Sequence, residues 1–328
     1  MMPPTKIDVH THIVPPFWSE AVVAAGKLPI PPVWHEAEHL KLMERCHITK
    51  SIFSITHPGT NLIPGDHQAA RVLARKCNDY AAEVKQRRPD KFGYFAALPL
   101  PDVEGALAEI DYVFTNLQPD GVCLLTSHEG IYPGDPQFDT VFEELNRRKA
   151  KVFMHPTVPC IMHEESLISA IPTKRLPQGI CEYFFEEARV IFNLLMSRTP
   201  SRFPDIQFIM PHAGGAFPPI VERFARFGKV VFGDAQEVTS LDIKRILQQH
   251  FYFDLTGFVL PDQIHGLLRF VGPDRLLFGS DYPYTRYASV VELSGELDSD
   301  LISVIPNEKD RQDMYGGNAK ELFGDSSS

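Results

Sequence analysis

The chain has five cysteines in 328 residues, no C-x-x-C pair and no Asn-x-Ser/Thr sequon. An odd, scattered set (Cys46, Cys77, Cys123, Cys160 and Cys181) builds neither a disulfide framework nor a thiolate metal knuckle. Reduced thiols in a cytoplasmic protein are therefore expected. No apolar run approaches the roughly 20 residues that a membrane span requires, and the start, Met-Met-Pro-Pro-Thr-Lys, runs straight into a β-rich segment, so export is not expected. There is no block of Lys or Arg either. With 32 basic against 42 acidic residues the formal charge is -10, which argues against nucleic acid and anionic membrane as partners and for a small molecule. Internal repeats and low-complexity tracts are also missing.

What is present is an alternation. Short β-rich runs at 6–9, 50–56, 92–100, 121–126, 151–155, 206–211, 251–256 and 276–280 are separated by segments with helical spacing, among them 35–47, 67–88, 103–116, 138–149, 181–197, 218–227, 262–270 and 289–297. Eight strand-helix units predict an α/β protein, a (β/α)8 TIM-like barrel filling 1–328 as one domain. An open doubly wound sheet is the alternative, but it usually carries a glycine-rich first turn, which 8–14 lacks. Two Pro-rich stretches, 13–33 and 156–179, interrupt the rhythm after the first and fifth strands. Both are expected as loop insertions walling a site, because barrel enzymes build their sites at the C-terminal ends of the strands. The polar end, 324–328, is expected to fray.

The chemistry is written at strand ends. Asp8-Val9-His10-Thr11-His12 closes the first strand, and alternation puts His10 and His12 on the same side. Two converging imidazoles make half of a site for a borderline divalent metal, although a lone H-x-H is weak. Three further strands end in ligand-type residues: His155 after Val152-Phe153-Met154, His212 after Phe208-Ile209-Met210-Pro211, and Asp281 after Leu277-Phe278-Gly279-Ser280. Ligand types ending strands one, five, six and eight are hard to ascribe to packing. The other histidines (His35, His39, His47, His57, His67, His128, His163, His250, His265) mostly fall on helices or loops and read as solvent-facing, His57 and His128 less so because they follow strand ends.

These motifs, with Pro211-His-Ala-Gly-Gly-Ala-Phe-Pro218 and Gly279-Ser-Asp-Tyr-Pro283, resemble the decarboxylase branch of the amidohydrolase superfamily along nearly the whole chain. That branch includes aminocarboxymuconate-semialdehyde, γ-resorcylate, 5-carboxyvanillate and fungal 6-methylsalicylate decarboxylases. The resemblance implies metal ligation by His10, His12, His155 and Asp281, with His212 and Asp281 catalytic. Strand four, Gly121-Val-Cys-Leu-Leu-Thr126, has no Lys to be carboxylated between two metals, so one divalent ion is expected, Zn2+ ahead of Mn2+. Arg223 matches an arginine that in the muconate enzymes reaches the neighbouring subunit's site, which suggests substrate contact and a homodimer. A second arginine of those enzymes has no counterpart in 28–33. That favours a less polar acid, 6-methylsalicylate converted to 3-methylphenol and CO2. Phe217, Trp18 and Trp34 are candidates for an apolar wall against the ring. A buried Asp281 is expected to hold the proton that goes to the ring carbon, with His212 the other possible donor. A muconate-semialdehyde decarboxylase and a metal-dependent lactone or amide hydrolase stand as alternatives. So does a non-catalytic metal-binding barrel, for which His212 would have no use.

Overall fold

Each expected β-rich run extends as a parallel strand, because the next strand begins only after a helical crossover. The computed structural model describes residues 4–27, 29–163, 166–171, 175–232 and 239–324. Its strands are β1 (Lys6–His12), β2 (Ile48–Ser54), β3 (Phe92–Ala97), β4 (Gly121–Leu125), β5 (Lys151–His155), β6 (Cys160–His163), β7 (Ser166–Ser169), β8 (Gln207–Met210), β9 (Phe251–Asp254) and β10 (Leu276–Leu277). Eight of them form one parallel sheet in the order β1-β2-β3-β4-β5-β8-β9-β10. A parallel bridge from Asp8 to Phe278 brings its edges together, with Val9 N donating to Phe278 O at 3.0 Å. The (β/α)8 barrel is therefore the observed fold.

The barrel axis is filled by Ile7, Val9, Ile52, Phe95, Cys123, Phe153, Ile209, Tyr252 and Leu277, one or two side chains per strand. Ala319 and Leu322, from the helix Asn318–Phe323, close its lower end. A larger shell of apolar residues packs between the strands and the outer helices. Ile7 and Val9 occupy the axis, yet so does His10, whose ring lies 5.1 Å from that of Phe153. Strict alternation forbids both. The contradiction is resolved by an extra residue in β1: the pairing runs from Asp8 opposite Ser51 to Thr11 opposite Phe53, three steps against two. Such a bulge flips the parity of the strand, so its lower half fills the core and its upper half presents His10 and His12 to the barrel mouth.

Asp8 holds this bulge. Its Oδ1 accepts from His10 N at 3.2 Å and Ser280 N at 3.1 Å, and its Oδ2 from Ser280 Oγ at 2.6 Å. The same contacts seal β1 against the chain that follows β10, reinforced by Asp281 N to His10 O at 2.7 Å and His12 N to Tyr282 O at 2.7 Å.

Four features differ from the sequence expectation. The 13–33 stretch contains a helix, Pro16–Ala24, and 156–179 contains the antiparallel hairpin β6-β7. A helix at Ser240–His250, started by a capping box between Thr239 and Asp242, falls where the alternation supplied none. His39, read as solvent-facing, is fully buried and bridges Trp34 Nε1 to Ser51 Oγ at 3.0 and 3.2 Å. Its helix, Glu36–Cys46, lays that face against the barrel wall. The expected frayed end at 325–328 lies outside the described residues.

Replacing Asp8 with Ala strands two donors at the seam, His10 N and the Ser280 hydroxyl, while Ser280 N keeps His10 O at 3.0 Å; each stranded donor is worth about 1 kcal/mol or more when buried without a partner. Thermal unfolding of the variant is expected to show a loss of about 2 kcal/mol; an unchanged midpoint would mean that the bulge needs no carboxylate.

Candidate metal centre and active site

His10 and His12 stand at the mouth because of the bulge, and β5 brings His155 to the same place. The three imidazoles each offer a nitrogen, all within 4.8 Å of one another, and all three residues are buried. Asp281 Oδ1 lies 3.1 Å from His12 Nε2 and 3.7 Å from His10 Nε2. Asp281 reaches them because the chain turns sharply after Ser280, with a left-handed φ of 57° that Asp tolerates better than most side chains. At Gly279 a Cβ would lie 2.6 Å from that of His10, so only glycine lets this strand end pack against β1.

The donor set fits a divalent cation. Among the described residues, His10 Nε2 and His12 Nε2 are buried with no well-aligned hydrogen-bond partner, the Asp281 carboxylate beside them included, an arrangement that costs energy unless something electropositive sits between them. The opposite nitrogens fix the tautomers: His10 Nδ1 donates to Asp254 Oδ2 at 2.9 Å, His12 Nδ1 lies 3.1 Å from Ser54 Oγ, and His155 Nδ1 donates to Pro156 O at 2.7 Å. His155 Nε2 thus keeps its lone pair, for which the Thr56 hydroxyl at 2.8 Å competes. Burial pushes His12 down, and His155 further down with help from its neighbouring histidines. Both are held neutral, the form that binds metal.

His212 has different surroundings. It sits on a tight turn with φ of 48°, its N–H bonded to Asp254 Oδ1 at 3.0 Å, and its ring 5.1 Å from that of His10. Its Nδ1 donates to Glu187 Oε1 at 2.6 Å, and Phe184 stacks on its face. Gly215 allows that contact, since a Cβ there would meet Glu187 Oε2 at 2.5 Å. Burial alone would lower His212, but the charge and hydrogen bond of Glu187, with Asp254 and Asp281 behind them, raise it well above the usual histidine range. Burial likewise raises Asp281, yet the close approach of His12 and the fields of His10 and His212 outweigh it and hold the carboxyl below its ordinary value. Of the two groups expected to hold a proton, the surroundings of Asp281 favour its ionised form and those of His212 its charged form.

Not every sequence candidate arrives here. Phe217 is fully buried in the outer core, its ring 4.9 Å from Phe192. Trp18 donates to Gly59 O and Trp34 to His39, each as a core residue. Arg223 is exposed on the helix Val221–Phe232, its guanidinium 4.8 Å from the centre of the Phe227 ring. Conversely, Asp8, Asp254 and Glu187 were not anticipated. Asp254 had a readable signal, an acid at the end of the seventh strand; Glu187 had only its place beside Glu186 in an otherwise apolar helix.

The description Amidohydrolase belongs to the family model that matches residues 7–324. The chain belongs to this family. It is 33% identical over 327 residues to a 6-methylsalicylic acid decarboxylase of Penicillium expansum, covering 97% of this chain and 96% of that protein. A crystal structure named amidohydrolase II superimposes with a TM-score of 0.86 at 29% identity, over 97% of this chain and 99% of the other. The 5-carboxyvanillate decarboxylase of Novosphingobium aromaticivorans, solved with manganese and 4-hydroxy-3-methoxy-5-nitrobenzoic acid, shares the fold at a TM-score of 0.82 and 18% identity, over 98% and 96% of the two chains.

Asp254 is the residue that orients His10. Asp254→Asn keeps an acceptor for the backbone N–H groups but weakens the grip on Nδ1, and metal affinity measured by chelator competition is expected to fall about 10- to 100-fold. Unchanged affinity would remove His10 from the ligand set.

Proposed function

We propose that this chain is a metal-dependent, non-oxidative decarboxylase of small aromatic ortho-hydroxy acids, with 6-methylsalicylate, yielding 3-methylphenol and CO2, the first substrate to test. The observation that carries this reading is the His212–Glu187 pair, 2.6 Å apart, set beside the buried cluster of His10, His12 and His155. Likeness to the Penicillium enzyme along almost its full length supports it. His10, His12, His155 and Asp281 would hold the ion, Zn2+ or Mn2+. When bound, it supplies a fixed positive charge suited to a carboxylate and the oxygen ortho to it.

The protein's own groups supply the proton. His212, kept as an imidazolium by Glu187, holds it at Nε2 and delivers it to the ring carbon that carries the carboxylate. The bond to the carboxylate then breaks, its electron pair returns to the ring, CO2 leaves, and His212 is reprotonated from solvent. Asp254 steadies both histidines through separate oxygens, so the donor keeps its place relative to the cluster. Asp281, ionised, keeps His212 charged while the proton waits. A homodimer, in which the exposed Arg223 would face a neighbouring copy, belongs to the same proposal.

Incubation of metal-loaded enzyme with ortho-hydroxybenzoic acids, followed by mass spectrometry, is expected to show loss of CO2. Gain of water on a lactone or amide, with no such loss from any acid, would replace this reading with a hydrolase. The donor has its own signature. A raised histidine is charged below its folded pKa and loses the proton as pH rises through it, so activity is expected to fall on the alkaline side. Glu187→Gln should move that limb of the kcat/KM profile to lower pH and cost about 100-fold near neutrality. A limb that stays in place would assign the proton elsewhere.

A further inference from the structure

A chamber of about 380 Å³ opens on the side of the mouth formed by the ends of β2 to β5. It adjoins the imidazole cluster: Ile55 on its wall precedes Thr56, whose hydroxyl is 2.8 Å from His155 Nε2. Ile55, Leu98 and Leu125 make part of the wall apolar. None of the metal ligands, His212 or Glu187 lines it, so the reaction proposed above leaves its polar groups without a task.

Two of those groups are incomplete. His128, just beyond β4, is only 7% exposed, and its Nε2 has no hydrogen-bond partner among the described residues. The backbone carbonyl of Leu100 takes a hydrogen bond from the ring, so Nδ1 carries the hydrogen and Nε2 presents a bare lone pair. Burial also drives His128 down to about 3, which keeps it a neutral acceptor. Thr60, 4% exposed, has an equally unpartnered Oγ1 and lines the same chamber, on the wall shared with the groove between the helices Pro16–Ala24 and His67–Arg87. The nearby carboxylate of Glu129 is already engaged, accepting at Oε1 from Asn61 Nδ2 at 2.8 Å and Gly65 N at 3.1 Å. A buried acceptor and a buried hydroxyl left unmatched in a partly apolar chamber are the mark of a site whose polar partner arrives with the ligand.

We propose that this chamber is a substrate subsite that takes a ring substituent ending in a hydroxyl group, which donates to His128 Nε2 and accepts from Thr60 Oγ1. A hydroxyl has the one donor and the spare lone pair that satisfy both. A methyl group in the same place satisfies neither. The substrate class is thereby narrowed, on the decarboxylase reading, to ortho-hydroxy acids bearing a hydroxyalkyl arm.

The test uses ligands without a carboxylate, so that turnover plays no part. Metal-loaded enzyme is titrated calorimetrically with each cresol and with the hydroxybenzyl alcohol of the same substitution pattern. For at least one pattern the alcohol is expected to bind about tenfold or more tightly than the cresol, the ratio worth one net hydrogen bond of about 1.4 kcal/mol. His128→Leu should erase that ratio while leaving cresol affinity in place. Thr60→Val, close to isosteric, should reduce it and keeps the test open if the first variant fails to fold. Equal binding of alcohol and cresol in every pattern would overturn the proposal and leave ordered water as the partner of both side chains. A preference that survives both substitutions would overturn it as well. Absence of CO2 loss alongside the alcohol preference would count against the decarboxylase reading alone.

Discussion

One extra residue in β1 governs the site. The barrel needs Ile7 and Val9 on its axis for packing, and the centre needs His10 and His12 on the same axis one layer higher. A regular strand cannot supply both, because successive side chains alternate sides. The bulge between Asp8 and Thr11 allows it, at the cost of interrupting the ladder, and the Asp8 carboxylate takes up the His10 N–H within the bulge. That carboxylate also holds Ser280, so the seam of the barrel and the position of Asp281 depend on the same contacts.

Buried carboxylates recur throughout the mouth, each matched to a different donor. Asp8 grips backbone and a serine, Asp254 fixes His10 and the turn before His212, and Glu187 pairs with the His212 ring. Burial pushes each of these acids up, and Asp8 rises to about 7. In Asp254 the neighbouring histidines reverse the direction. The consequence is a division of labour among chemically identical rings. His12 and His155 are driven neutral by burial, while His212, surrounded by Glu187, Asp254 and Asp281, is driven charged. On the proposed reading, side chains of one type are thus separated into ligands and a proton carrier by burial on one side and by the carboxylates around His212 on the other.

The two long insertions also find a physical account. Helix Pro16–Ala24 and hairpin β6-β7 both follow strand C-termini, and each contributes to the surroundings of the mouth: Gly26 and Lys27 after the helix and Leu167 to Ser169 in the hairpin line the chamber. Part of the chamber's surface is thus carried by segments outside the barrel's repeating units, which leaves the strand ends free to hold the metal donors.

Eight β-rich runs separated by helical spacing were enough to specify the barrel, because parallel strands joined by helices have few other ways to bury both faces. Ligand-type residues at the ends of four of those strands were enough to nominate His10, His12, His155, His212 and Asp281, since strand ends in a barrel converge on one rim. Pattern stopped there for identifiable reasons. The inward set of β1 depends on a bulge, which has no signature in hydrophobic alternation. Phe217 and Trp34 are aromatic residues near motifs, and whether such rings face a ligand or a core is a matter of packing; here both face the core. Glu187 meets His212 from 25 positions away, and Asp254 meets His10 from 244 positions away, so neither partnership leaves a local trace. Local spacing thus names the groups that carry the chemistry, whereas their protonation states are set by neighbours that only the folded barrel brings within hydrogen-bond distance.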